Sequence, residues 1–150
     1  MEDFDLNKVR LVLRAAGDYM LRQVELTSRT FDNDPMLGVV YLAVLQANVR
    51  PIADDPRLSK TYAGAEPPPD SVRVPVTARA IAESLNIPRE TVRRYINRLV
   101  DMNLCNRDGR KGVVVPQAVL TSPEGMQFAW NTYANLRRLM AQLRELEIEL

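Results

Sequence analysis

The chain contains no histidine in its 150 residues. That removes the commonest general base near neutral pH and the commonest metal ligand. There is one cysteine, Cys105, so no disulfide can close within the chain, and a reducing, cytoplasmic setting is expected. Six glycines are too few and too scattered for a glycine-rich phosphate loop, and no acidic cluster has metal-ligand spacing. Aromatic residues make up 6% and do not interleave with basic ones, as the stacking platforms of single-strand binders do. These absences weigh against an enzyme, and no catalytic residue, metal or cofactor is expected. No 18-residue apolar run is evident, so neither a membrane-spanning helix nor a membrane partner is expected. The acidic start, MEDFDLNKVR, lacks the apolar region of a signal peptide.

What is present points to a packed globular chain. An apolar share of 46% beside a charged share of 26% suits one domain over residues 1–150. The net charge of +1 is unevenly spread. Between Thr77 and Gly112 there are eight basic and four acidic side chains, whereas the flanking segments are balanced or acidic. A local excess of this kind is the footprint of a phosphate-binding surface.

The same stretch carries the clearest pattern. Thr77 is placed to cap a short helix whose Ile81, Ala82 and Leu85 share a face. Asn86 sits where that helix must stop, since asparagine tolerates the left-handed conformation of a C-cap. Pro88 is expected at the first position of a second helix, which buries Val92, Ile96 and Leu99, with Tyr95 also turned inward. Neither short helix can stand alone in water, so their apolar faces must meet. Leu104 to Arg107 reads as a strand, Asp108 to Gly112 as a basic turn, and Val113 to Val115 as the returning strand. Two helices joined by a tight turn and followed by a basic-tipped hairpin resemble the winged helix-turn-helix of bacterial transcription regulators, the broad kind that includes the MarR, GntR and IclR families. The resemblance rests on Ile81, Ala82, Leu85, Ile87, Val92 and Ile96 to Leu99, and on the hairpin from Leu104 to Val115. It implies a mainly α fold with a small β-wing, in which a winged core is flanked by N-terminal and long C-terminal helices.

The rest of the chain fits around that core. A first helix over Asp5 to Glu25, within an N-terminal segment 1–34, carries an apolar seam of Leu6, Val9, Leu13, Ala16 and Met20. Thr27 to Asn33 reads as a polar break. Asp34 and Pro35 open a helix that is apolar nearly all round and that Pro51 should end. The core proper would run from 35 to 120. Within it, residues 50–75 hold six of the ten prolines and read as an exposed, mobile linker, or more sharply as a recognition loop or lid. Val72 to Val74 has the composition of a third short strand. Thr121 to Glu124 reads as a capping box opening a helix over 121–150, with a seam of Ala129, Thr132, Leu136, Leu139, Leu143, Leu146 and Leu150. That helix exceeds what a small domain can cover, so a homodimer is expected, held by Leu136, Leu139, Leu143 and Leu146 together with Leu6, Val9 and Leu13. Phe128, Trp130, Tyr133 and Met20 read either as core or as the lining of an effector pocket like that of MarR-like proteins.

In a duplex-binding protein of this form, Arg89, Arg93, Arg94 and Asn97 are the candidates for base or near-base contacts in the major groove. Arginine pairs with guanine O6 and N7, and asparagine with adenine N6 and N7. Thr77, Arg79, Thr91 and Arg98 are placed for phosphates, and Arg110 and Lys111 for the neighbouring minor groove or backbone. Glu90 tempers the positive face. Cys105, with no basic or histidine activator beside it, reads as a small core residue rather than an oxidant sensor. The competing reading is a winged-helix scaffold for protein–protein contacts, which would not need the outward arginines.

Overall fold

The structure, a computed structural model, describes residues 5–148. These residues form a mainly helical chain with one small sheet. The elements in order are α1 (Leu6–Thr30), α2 (Pro35–Ala53), α3 (Pro56–Thr61), α4 (Ala78–Leu85), α5 (Arg89–Asp101), β1 (Asn106–Asp108), β2 (Gly112–Val114), α6 (Gln117–Leu120) and α7 (Pro123–Glu145). The chain divides into two compact units: Met36–Met126, and Met1–Pro35 together with Gln127–Leu150.

The unit Met36–Met126 is built on α2. Leu37, Val40, Tyr41, Val44, Asn48 and Ile52 are buried at helical spacing, so one broad stripe of α2 forms the core. By length and composition alone α2 is apolar enough to cross a membrane, contrary to the sequence expectation. Its buried stripe and its hydrogen bonds to the sheet give it the part of a core helix in this unit. Pro51 does not end it. The helix runs on to Ala53 because the proline costs only one bond in the last turn, which Asp54 N–H closes onto Arg50 O at 2.9 Å.

Asn48 is the one fully buried polar side chain of α2. Its Nδ2 donates to Val74 O at 2.8 Å and to Val113 O at 3.1 Å, while its Oδ1 accepts from Val115 N–H at 2.9 Å. A side chain thus supplies the pairing that a further strand would give the sheet, and every polar group of the amide is used.

The proline-rich segment is more structured than a linker. Asp55 caps α3, accepting from Arg57 and Leu58 N–H. Asp70–Val72 form a 3-10 turn rather than opening a strand. Pro68 O accepts from the buried Arg73 Nε at 3.0 Å, Pro67 O from Gln117 Nε2 at 3.2 Å, and Asp70 Oδ1 from Gln117 N–H at 2.7 Å. Residues 67–73 are therefore fastened to the unit, and the expectation of a mobile linker fails for that half. The third strand is reduced to one antiparallel bridge, Val76 to Val113, two residues beyond the run that suggested it. Burial holds the Arg73 guanidinium below its ordinary pKa, with Asp70 opposing. Burial likewise pushes the Tyr41 hydroxyl and the Cys105 thiol each up to about 12.

After Val76 the chain follows the expected course closely. Thr77 Oγ1 accepts from Ala80 N–H at 3.2 Å and caps α4. Asn86 ends it in the left-handed conformation, φ 53° and ψ 46°. Ile81 and Ala82 are buried, and Leu85 half-buried. Pro88 is the N-cap of α5 rather than its first residue. Val92, Ile96 and Leu99 are buried; a fully buried aliphatic side chain contributes about 1.5–3 kcal/mol. Strand β1 starts two residues later than expected, because Leu104 and Cys105 still close the end of α5 through bonds to Leu99 O. It pairs with β2 in the register Asn106–Val114, Arg107–Val113, Asp108–Gly112. Gly112, at φ 123°, cannot be replaced: a Cβ there would lie 2.1 Å from Val76 O. After the hairpin comes a short helix, α6, which the sequence pattern did not announce. The cap of α7 is Ser122 and not Thr121: Ser122 Oγ accepts from Gly125 N–H at 3.1 Å, while Thr121 Oγ1 turns back to Gln117 O.

The other unit is a pair of helices, α1 and α7. Asp5 caps α1. The helix continues five residues past the expected end, since Thr27 and Thr30 bond back to Gln23 O and Leu26 O and fit the helix instead of breaking it. The two helices run antiparallel through a polar ladder. Gln23 Nε2 donates to Thr132 Oγ1 at 3.0 Å, Asn135 Nδ2 to Gln23 Oε1 at 3.1 Å, and Gln142 Nε2 to Asp18 Oδ2 at 3.5 Å. Phe31 meets Phe128 edge to face at 5.5 Å, and Leu26 and Leu143 are buried. Arg22, by hydrogen bond first, holds the Asp18 carboxyl below its usual pKa, with Arg138 and Gln142 adding to the effect. The seam read from α1 is not the one the unit buries: Leu6, Leu13 and Met20 are 75%, 70% and 66% exposed. On α7, Leu143 is buried, Leu139 half-buried and Leu136 exposed; Leu146, just past its end, is exposed. The helix does not run to the end of the sequence. Glu147, at φ 55°, and the bond from Ile148 N–H to Leu143 O close it after Glu145; Leu150 lies outside the described residues.

Candidate nucleic-acid interface

The basic residues of α5 fall on two rows. Arg89, Arg93 and Asn97 recur every fourth residue and turn toward the hairpin. With Val76, Ala78, Ile96, Arg107, Gly112 and Val113 they line a concavity of about 310 Å³. Glu90 and Arg94 lie farther round the helix, opposite the buried face, and both are exposed. Arg110 and Lys111 occupy the exposed tip of the hairpin, where Gly109 takes φ 50° and Lys111 N–H closes the turn onto Asp108 O at 2.9 Å.

The site residues expected from the sequence are not all alike. Thr77 and Arg79 are exposed at the start of α4; the Thr77 hydroxyl is engaged in the cap, and Arg79 pairs with Glu83 at 3.0 Å. Arg93 pairs with Glu90 at 2.8 Å, an exposed ion pair of the kind worth under about 1 kcal/mol and therefore easily exchanged for another anion. Thr91 is half-buried. Arg98, also half-buried, lies with its guanidinium 5.7 Å from the centre of the Tyr95 ring, on the flank of the helix. Asn97 is joined across the concavity to Arg107: its Oδ1 accepts from Arg107 Nη2.

Arg107 belongs to this surface and sequence reasoning passed over it. The signal was available in the glycines of the turn. Gly109 and Gly112 fix the hairpin register, which sets Arg107 opposite Val113 and beside the bridge to Val76. The seven residues proposed for dimerisation lie in the other unit: Leu6, Val9, Leu13, Leu136 and Leu146 are exposed, Leu139 is half-buried, and Leu143 is covered by its own chain. Trp130 and Tyr133, read as core or pocket lining, are instead exposed, their rings 5.6 Å apart and tilted by 33°, with Arg137 over Tyr133.

Among the described residues no group of histidine, cysteine, aspartate or glutamate could hold a metal ion. The arrangement offers a donor-rich surface on which Glu90 is already paired with Arg93. Comparison with known proteins gives no match: no family model, no curated protein and no solved structure matches the chain.

Proposed function

We propose that the chain is a winged helix-turn-helix protein of the broad MarR, GntR and IclR kind, a cytoplasmic transcription regulator that binds double-stranded DNA as a homodimer. In this reading α4 and α5 are the helix-turn-helix, α5 enters the major groove, and the hairpin is the wing on the minor groove or backbone. The observation that carries it is the basic concavity: Arg89, Arg93 and Asn97 on α5 face Arg107 on the hairpin, with Arg94 on the outer face of the helix and Arg110 and Lys111 at the tip. A duplex presents acceptors in the groove and anions along its edges, and this surface supplies donors and cations at both places. The second reading, a winged-helix module for protein contacts, draws on the exposed Trp130 and Tyr133; it gives the arginine rows no task.

Selection from random duplex DNA tests the proposal. One sequence should be enriched, as two half-sites about one helical turn apart. Arg94→Ala should cost about 1–3 kcal/mol and relax base preference. Lys111→Ala should weaken all sequences alike and lower the salt slope by about one counterion. If both variants bind the selected site as the parent does at matched salt, the surface has been misread.

A further inference from the structure

We infer that Asn97 and Arg107 form one composite reader that offers only hydrogen-bond donors and selects guanine, where Asn97 alone would select adenine. The inference rests on the DNA-binding reading above. An asparagine reads adenine with both ends of its amide: Oδ1 accepts from N6 and Nδ2 donates to N7. Here Oδ1 is engaged by the Arg107 guanidinium. The orientation of the amide is not arbitrary, because a guanidinium has donors and no acceptor, so only the oxygen end can face it. The oxygen's second lone pair lies beside a positive charge, where the N6 amino group of adenine would bring its hydrogens against those of the guanidinium. What the pair turns outward is the Asn97 Nδ2–H and the remaining Arg107 N–H groups, all donors.

The major-groove edge of guanine, N7 with O6, is the one purine edge made only of acceptors. Cytosine presents a donor there, and thymine one acceptor beside a methyl group. The surroundings reinforce the match. Arg89 and Arg93 line the same concavity, and the Glu90 carboxylate is bound by Arg93. The reader is also held in place. Arg107 pairs with Val113, which is 2% exposed and bridged to Val76, so the backbone carrying the guanidinium is part of the packed unit. Asn97 stands one position from the buried Ile96.

The test uses the full chain and selection from random duplex DNA. The parent protein should enrich guanine at one position of each half-site. Arg107→Ala frees the Asn97 oxygen, and preference at that position should pass from guanine to adenine, with a change in the ratio of about tenfold or more. Asn97→Ala should erase preference there in the Arg107→Ala background and weaken the preference for guanine in the parent, where the Arg107 donors remain. Arg107→Met, which keeps the aliphatic stem and removes the donors, should repeat the switch and guards against loss of the fold in the alanine variant; thermal melting checks both. Two results overturn the inference while leaving DNA binding intact. One is a parent protein that selects adenine at the position Asn97→Ala erases. The other is an Arg107→Ala protein that weakens all sequences equally and loses salt dependence with base preference unchanged, which would make Arg107 a phosphate contact. Enrichment of no sequence by the parent protein would overturn the sequence-specific reading itself, and this inference with it.

Discussion

The two units of the chain differ in how completely each covers its own apolar surface. Of the ten largest fully buried side chains among the described residues, nine lie in Met36–Met126 and only Leu26 in the α1–α7 unit. Of the seventeen exposed large apolar side chains among the described residues, twelve lie in the α1–α7 unit. The first unit hides valine, leucine and isoleucine on several elements and saturates its one buried amide. The second joins two helices by glutamine, asparagine, threonine and aspartate, and leaves leucines outside. Burial of apolar surface is the main favourable term in folding, so a helix pair that half-buries Asp18, Gln23, Thr132 and Asn135 while exposing Leu6, Leu13 and Met20 has apolar surface left to cover. A second copy of the chain is the cover that a two-fold DNA-binding protein would supply.

The largest effect should come from charging that exposed surface. Leu13→Glu with Leu136→Glu alters two exposed positions, so each chain should keep its fold. Light scattering should then report a monomer, and affinity for a two-half-site duplex should fall by about 10²–10⁴ through loss of bivalency. A double variant that still scatters as a dimer would remove the contrast between the units. The next largest effect lies in the other unit. Asn48→Ala strips the partners from Val74 O and Val115 N–H and one of two from Val113 O, which keeps Val76 N–H; at about 1–3 kcal/mol for each of the two groups left unsatisfied, a total of about 2 kcal/mol or more is expected. A urea midpoint close to the parent's would show that water replaces the amide and that this core is less closed than its burial implies. The smallest effect concerns Cys105. Its thiol should react with an aromatic disulfide reagent only as fast as the unit opens. Burial raises its pKa from 9.0 to about 12 in the folded chain. Above pH 9 the unfolded chain therefore releases a proton that the folded one keeps, and stability should fall with rising pH across pH 9–12. The loss should be about 1 kcal/mol at pH 10. In Cys105→Ala the part that sets in at pH 9 should vanish, leaving the loss that Tyr41, raised by burial from 10.0 to about 12, contributes at higher pH.

What could be read from the sequence follows from how local its causes are. The Thr77 cap, the left-handed Asn86 and the Val92–Ile96–Leu99 stripe are each decided within a few residues, and each stands where the pattern put it. The ends of elements were set elsewhere. Pro51 was expected to stop α2 and Thr27 to break α1, yet one fell in a last turn that needed no further bond and the other bonded back to its own helix. The leucine seams were visible as periodicity, but periodicity cannot say which face is buried. On α1 the buried residues are Ala15, Leu26 and Thr27, with Asp18 and Gln23 half-buried beside them, a set that hydropathy does not favour. Among the site residues, Arg93, Arg94, Asn97, Arg110 and Lys111 were legible as a basic face. The link from Asn97 to Arg107 was not, because it joins residues ten positions apart through a hairpin whose register had to be known first.

Asn48 has a consequence in time as well as in energy. Its amide ties the foot of the hairpin to the most buried helix of its unit, whereas the tip at Gly109 to Lys111 is tied to nothing beyond its own turn. The Val113 and Val115 amide protons can exchange with solvent only when that part of the core opens. Lys111 N–H is bonded only within the turn, to Asp108 O, so its exchange should not require the core to open. A hairpin so built is fastened at its foot, with Arg107 bonded to Asn97 of α5, while its tip is closed only by its own turn.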